Sequence, residues 1–311
     1  MEPTLAIYRA DRLVVGALVR AGSKGARLDA LGMVRSQEQE RDALEQLKAQ
    51  LHWGAEPIRL ALVLDSSDAA VAAFPLEETP SEPVVREQAE LEIVQQFLST
   101  PSDGYTAEIY RTCPDIEGRT MGCGVFVLAG QRAIAAEVEE IFGIRPQVTV
   151  AALGVAAAFA YNYPEQRAQR AALVTIGMRS VDLAIVREGQ LQWWGWQHPV
   201  TGSHVMAVQQ LVREAILHCG DISMLVLAGS GAQRTLVEQL VLAYDGRFPH
   251  SVGVLDGFRF LECGLPDALC TAAGPLGHVF APAIGGALLE QYIEPTWRFH
   301  VPSNAEMPLQ Q

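Results

Sequence analysis

The chain has 311 residues, 49% of them hydrophobic and 19% charged, with a formal net charge of −13. That balance provides apolar area for a sizeable core and excludes a disordered chain. The acidic excess repels phosphate backbones and anionic headgroups, so neither nucleic acid nor a bare membrane is an expected partner.

Short β-type runs at residues 5–9 and 13–19 flank the turn Ala10-Asp11-Arg12, and residues 28–34 make a third. Ser36 precedes a polar helix over 37–51, with Ala43, Leu44, Leu47 and Leu51 at helical spacing. Residues 59–64 are a continuous apolar run of the buried-strand type. The character changes from residue 69. A strand over 71–74 is punctuated by Pro75, Pro80 and Pro83, and 84–98 reads as an acidic amphipathic helix with Leu91, Val94 and Leu98 on one face. Strands at 105–110 and 124–128 are joined by the turn-rich segment 112–122. A helix over 131–142 ends at Gly143, a good C-cap. A strand at 148–150 and an alanine-rich helix over 152–163 close this half at Pro164.

The opening pattern then recurs. Residues 172–176, 181–186 and 191–196 read as three strands, and Ser203 caps a helix running to Cys219. A strand at 224–228 is followed by Gly229-Ser230-Gly231, which turns into a helix over 233–244. The tail repeats Gly and Pro until a last helix, 281–292, ahead of an end read as polar and frayed. Two passes of strand-strand-strand-helix-strand-helix predict two related lobes, with a ligand cleft between them. The apolar runs 150–160 and 222–229 are too short to span a bilayer, and no secretory signal opens the chain. The cysteines Cys113, Cys123, Cys219, Cys263 and Cys270 form no CxxC pair and are expected reduced and mostly buried, in the cytoplasm.

Several stretches in this order resemble the actin, Hsp70 and sugar-kinase superfamily, and within it the PilM family of type IV pilus assembly proteins. ALVTIGMRSVDLAIVREGQL resembles the second phosphate loop with its hairpin. LVLAGSGAQRTLVEQL resembles the adenosine-binding turn, FAPAIGGALLEQY the closing helix, and AAFPLEETPSEPVVREQAELEIVQQFL the small inserted subdomain of PilM and FtsA. The resemblance implies an α/β, actin-like ATPase fold: two RNase-H-like lobes, 1–166 and 167–311, with an inserted α+β subdomain at about 69–128.

Active members of the superfamily carry an Asp in each phosphate loop, followed two residues later by Gly. Backbone N–H groups of such turns cradle phosphate, while the carboxylates hold hydrated magnesium and orient the attacking water. In this chain Tyr8 and Ala10 stand at those places in the first loop, and Thr175 at the Asp place in the second, where Gly177 survives. A phenol and a hydroxyl do not neutralise magnesium as two carboxylates do. The resemblance therefore implies a pseudo-ATPase with no catalytic residues, no metal, and ATP held, if at all, without hydrolysis. Gly177, Gly202, Gly229, Ser230 and Gly231 would be the vestigial nucleotide-binding residues, although glycine-rich strand-to-helix turns also occur in α/β proteins that bind no ligand. Asp11 and Asp182 read as ordinary turn and strand-face acids.

By the same resemblance the chain is a scaffold. It receives the cytoplasmic tail of an inner-membrane partner of the PilN kind, and meets the membrane only through that partner. The groove is expected along the opening strands and residues 71–85, with Leu76, Val85 and Trp194 as contact residues. An exposed Trp in the run Trp193, Trp194, Trp196 is a plausible protein anchor, since adjacent strand residues face opposite ways. Self-association as a filament and an active ATPase or kinase are the alternatives. No HxH, HExxH or Cys/His spacing points to a metal, no GxSxG elbow to a Ser nucleophile, and Glu87, Glu90 and Glu92 read as a solvated helix face.

Overall fold

The computed structural model describes residues 2–10, 12–23, 25–36, 40–54, 56–199, 203–244 and 252–303. In chain order the first half contains β1 (Thr4–Ala10), β2 (Leu13–Gly22), β3 (Gly25–Arg35), α1 (Glu40–Gln50), β4 (Arg59–Leu64), β5 (Ala70–Leu76), α2 (Glu82–Phe97), β6 (Tyr105–Arg111), β7 (Thr120–Val127), α3 (Ala129–Phe142), β8 (Gln147–Val150) and α4 (Ala151–Asn162). The second half contains β9 (Ala171–Ile176), β10 (Val181–Arg187), β11 (Gln190–Gln197), α5 (His204–Cys219), β12 (Met224–Ala228), α6 (Arg234–Tyr244), β13 (Val252–Val254), β14 (Glu262–Cys263), α7 (Asp267–Ala273), α8 (Gly277–Tyr292) and β15 (Trp297–Val301).

The six-stranded sheet has the order β14-β3-β2-β1-β4-β8, and the five-stranded sheet β11-β10-β9-β12-β13. The two share one plan. A central strand (β1, β9) pairs antiparallel with the next strand on one side and parallel with β4 or β12 on the other. Because helices cover both faces, the central strands are buried along nearly their whole length and mostly apolar, which is why the sequence shows near-continuous runs there rather than alternation. α1 and α3 cover the outer face of the first sheet, and α5 and α6 that of the second. Between the sheets lie α4 and α8, the first packed on β9 and β10, the second on β1, β2 and β4 and also touching β12.

α4 and α8 cross at glycines. A Cβ on Gly285 would overlap the Gly154 carbonyl oxygen, and one on Gly154 would stand 2.5 Å from the Pro282 carbonyl oxygen. Together with α7, α8 forms a helical stretch, Asp267–Tyr292, long and apolar enough to cross a membrane and distinct from the two apolar runs read in the sequence. Its most apolar window is 72% buried, so that apolarity is used in the core.

The third sheet, β15-β6-β7-β5, carries α2 on one face. Two expectations change here. Residues 297–301 are not a frayed end: β15 pairs antiparallel with β6, from Trp297 opposite Ile109 to Val301 opposite Tyr105. And α2 turns Val85, Ala89 and Ile93 inward, leaving Leu91, Val94 and Leu98 outside. The cysteine reading also changes, since Cys263 and Cys270 form a disulfide joining β14 to α7, while Cys123 and Cys219 are buried thiols.

Candidate functional site

Each repeated sheet presents a hairpin to the other: β1–β2 in the first, β9–β10 in the second. A buried polar layer fills the space where they meet. Tyr8, fully buried on β1, donates its hydroxyl hydrogen to Asp65 Oδ1 at 2.7 Å. Asp65 follows the last residue of β4, which runs parallel to β1, so the sheet register delivers the carboxyl to the phenol. The other oxygen of Asp65 reaches the second hairpin, where a Cβ on Gly177 would lie 2.6 Å from Oδ2. Ser66 donates to Asp182 Oδ1 on β10, and Ser180 and the Trp194 indole flank the same carboxyl. At the rim, Arg179 bridges both oxygens of Asp68, at 2.6 and 2.7 Å.

Burial dominates the acids of this layer. Loss of water pushes the Asp65 carboxyl up to about 7, against the Tyr8 hydrogen bond that favours the carboxylate. Asp182 is also pushed up to about 7 by burial, against the Ser66 hydrogen bond and the nearby Trp194 and Ser180 polar groups, which favour the carboxylate. Tyr8 is driven well above the usual phenol range by burial and by the neighbouring Asp65 charge. Asp182 is therefore no ordinary strand-face acid, and Asp65 is a site residue that the sequence reading missed. The run Asp65-Ser66-Ser67-Asp68, directly after the apolar run 60–64, was the signal available.

The hairpin donors are occupied within the chain. The Gly177 N–H donates to Ser180 O at 2.9 Å, Gly231 N–H to Ile176 O at 2.8 Å and Gly229 N–H to His278 O at 2.8 Å. A Cβ on Gly229, whose φ is +91°, would lie 2.6 Å from Ile176 O, and one on Gly231 2.6 Å from Ile176 Cγ2. These glycines are needed because the adenosine-type turn lies against the second hairpin itself. The Ser230 and Thr175 hydroxyls are buried beside them. Gly202 and Asp11 lie outside the described residues. Among those described, no group of three or more His, Cys, Asp or Glu is placed to hold a metal. Tyr8 and Gly177 engage the two oxygens of Asp65 within the chain.

The partner-contact residues named from sequence are not gathered in one place. Val85 is fully buried under the third sheet, and Trp194 is core between α4 and the second sheet, so neither offers a surface. Trp193 and Trp196, half-buried, stack on His218 and meet His198 edge-on. Leu76 ends β5, on the far edge of its sheet.

A groove of about 520 Å³ opens elsewhere, between β6, β7 and β15 on one side and α3 with the turn before β8 on the other. Thr106, Val125, Val127 and Ala136 line it, with Glu108, Arg145 and Arg298 among its charged residues. Since β15 forms one wall, this trough was not readable from a segment taken for a loose tail.

No protein-family model matches the sequence, and no curated protein sequence matches it. Solved structures do. A PilM–PilN type IV pilus biogenesis complex is similar at a TM-score of 0.69 and 12% identity, covering 94% of this chain and 99% of the other. A Bacteroides thetaiotaomicron protein with an actin-like ATPase fold and unknown function is similar at 0.50 and 12%, covering 82% of this chain and 91% of that one. Component A of the Acidaminococcus fermentans (R)-2-hydroxyglutaryl-CoA dehydratase is similar at 0.50 and 10%, covering 93% and 97%. The chain has the actin-like ATPase fold, as the sequence resemblance implied.

Proposed function

We propose that the chain is a non-catalytic actin-like adaptor. It receives the short cytoplasmic tail of an inner-membrane assembly protein of the PilN kind, and so works at the cytoplasmic face of the inner membrane in type IV pilus or related secretion assembly. The observation that carries this reading is the open groove beside the third sheet, in a fold that follows a PilM–PilN complex over almost the whole length of both chains. A short extended tail needs an apolar floor for its side chains and a polar rim for its backbone and charges. Val125, Val127 and Ala136 supply the first; Glu108, Arg145 and Arg298 supply the second. We also divide the chain at 1–166 and 167–311, with the inserted unit at about 69–128. The shared strand plan of the two larger sheets supports that division.

The test is calorimetric titration with the cytoplasmic-tail peptide of a PilN-type protein from the same source. Ala136 is exposed on α3, so Ala136→Arg fills the groove without touching a core. It should weaken binding at least tenfold, about 1.4 kcal/mol. Equal affinity in the variant removes the groove from the reading, and no binding to either protein removes the adaptor.

The inter-lobe site is inactive toward ATP in the same reading. Support comes from the Tyr8–Asp65 bond, the contact of Asp65 with Gly177 and the internally satisfied glycine N–H groups. Purified protein incubated with ATP and magnesium should show no turnover above buffer. Robust magnesium-dependent hydrolysis would mean that the polar layer opens and that the reading is wrong.

A further inference from the structure

A helix lying on a sheet needs one apolar stripe, and that stripe faces the sheet. α2 has two. Val85, Ala89 and Ile93 are buried against the third sheet. Val84, Leu91, Val94 and Leu98 run along another side, each between 42% and 90% exposed. At about 3.6 residues per turn Val84, Leu91 and Val94 fall within an arc of roughly 80°, a spacing suited to packing against another helix, and Leu98 follows at the C-cap. Leu98 adds a separate observation. It caps the helix at φ 51°, a left-handed conformation usually given to glycine or asparagine, and its side chain is 90% exposed. A large apolar side chain is kept where the backbone favours none.

The charge around this stripe selects its occupant. By helical count Glu87 lies within the stripe and Glu90 and Glu92 on its two sides, and the helix's one basic residue, Arg86, is already bonded to Glu90. A second copy would oppose acidic helix to acidic helix, and anionic lipid would be repelled. We propose that the outer face of α2 is the docking surface for a partner helix of about four turns, whose apolar stripe at i, i+3, i+4 and i+7 is flanked by Lys or Arg. The surface is separate from the tail groove. α2 covers the sheet face carrying Ala107 and Phe126, and the groove opens on the face carrying Thr106, Glu108 and Val125. The proposal therefore stands or falls independently of the adaptor reading.

The full chain would be titrated by fluorescence anisotropy, at physiological salt, with three synthetic helical peptides. One has a Leu stripe flanked by Lys, one the same stripe flanked by Glu, and one Lys flanks with Ser in place of Leu. Only the first should bind. The exposed double variant Leu91→Ser, Leu98→Ser should weaken it at least tenfold with an unchanged unfolding temperature. Glu87→Lys with Glu92→Lys should lose the Lys-flanked peptide and gain the Glu-flanked one. Failure of the first peptide to bind, equal binding of the Ser-stripe peptide, or indifference to both variants overturns the proposal. So does sedimentation showing a dimer that the Leu variant abolishes, which would make the occupant a second copy.

Discussion

Asp65 and Asp182 are buried carboxyls whose neighbours only partly replace lost water, and each is pushed up to about 7. In the unfolded chain both release their protons near pH 4, whereas in the folded chain they keep them to about 7. Between those limits the native state binds more protons, so stability falls as pH rises through the window and levels off above it. Urea unfolding from pH 5.5 to 8, above the sequence pI of about 5.0, should show a loss on the order of 2–4 kcal/mol. Asp182→Asn should flatten that slope and leave the protein more stable than the parent at pH 8. Stability rising over the same range would mean that the native carboxyls are ionised, and that solvent or a cation reaches them. At this scale the sequence displayed the Tyr8 and Thr175 departures, and it marked Gly177, Gly229 and Gly231 as positions of close approach. It did not distinguish approach to a ligand from approach to the chain's own Ile176 and Asp65, because both demand the missing Cβ.

Most elements follow from local rules. Periodicity located the central strands and the main helices, and the Ser203 cap begins α5 as read, its hydroxyl accepting the Met206 N–H. What periodicity does not give is the side that faces in. α2 has two apolar stripes, and the sheet takes Val85, Ala89 and Ile93 while Val84, Leu91, Val94 and Leu98 stay outside. β15 was missed for a related reason: its partner β6 lies far away in sequence, and a five-residue run carries no turn signal of its own. The crossing of α4 and α8 makes a stability prediction at this scale. Gly285→Ala places a methyl group into the Gly154 backbone and should cost more than about 3 kcal/mol or abolish soluble expression. Gly130→Ala on α3 meets nothing within 4 Å and should be neutral or stabilise by about 0.5 kcal/mol. Thermal unfolding of the two variants side by side checks the crossing; equal midpoints would show that the helices are not in backbone contact.

Over the whole molecule, two sheets of one plan enclose two glycine-crossed helices, and a third sheet takes its edge strand from the far end of the chain. The repeat of that plan was visible as two passes of the same element order, since burial on both faces writes itself into composition and turn chemistry into Gly, Pro and Ser. Local sequence carried the repeated element order and the missing acids at the expected phosphate-loop positions, and the resemblance of whole stretches carried the fold class. That Asp65 and Asp182 occupy the meeting of the hairpins, that Val85 and Trp194 are core, and that β15 walls a groove came instead from long-range packing. Those facts depend on pairings between residues tens to nearly two hundred positions apart. Such pairings are fixed by the packing of whole sheets and helices, and no window of local sequence contains them.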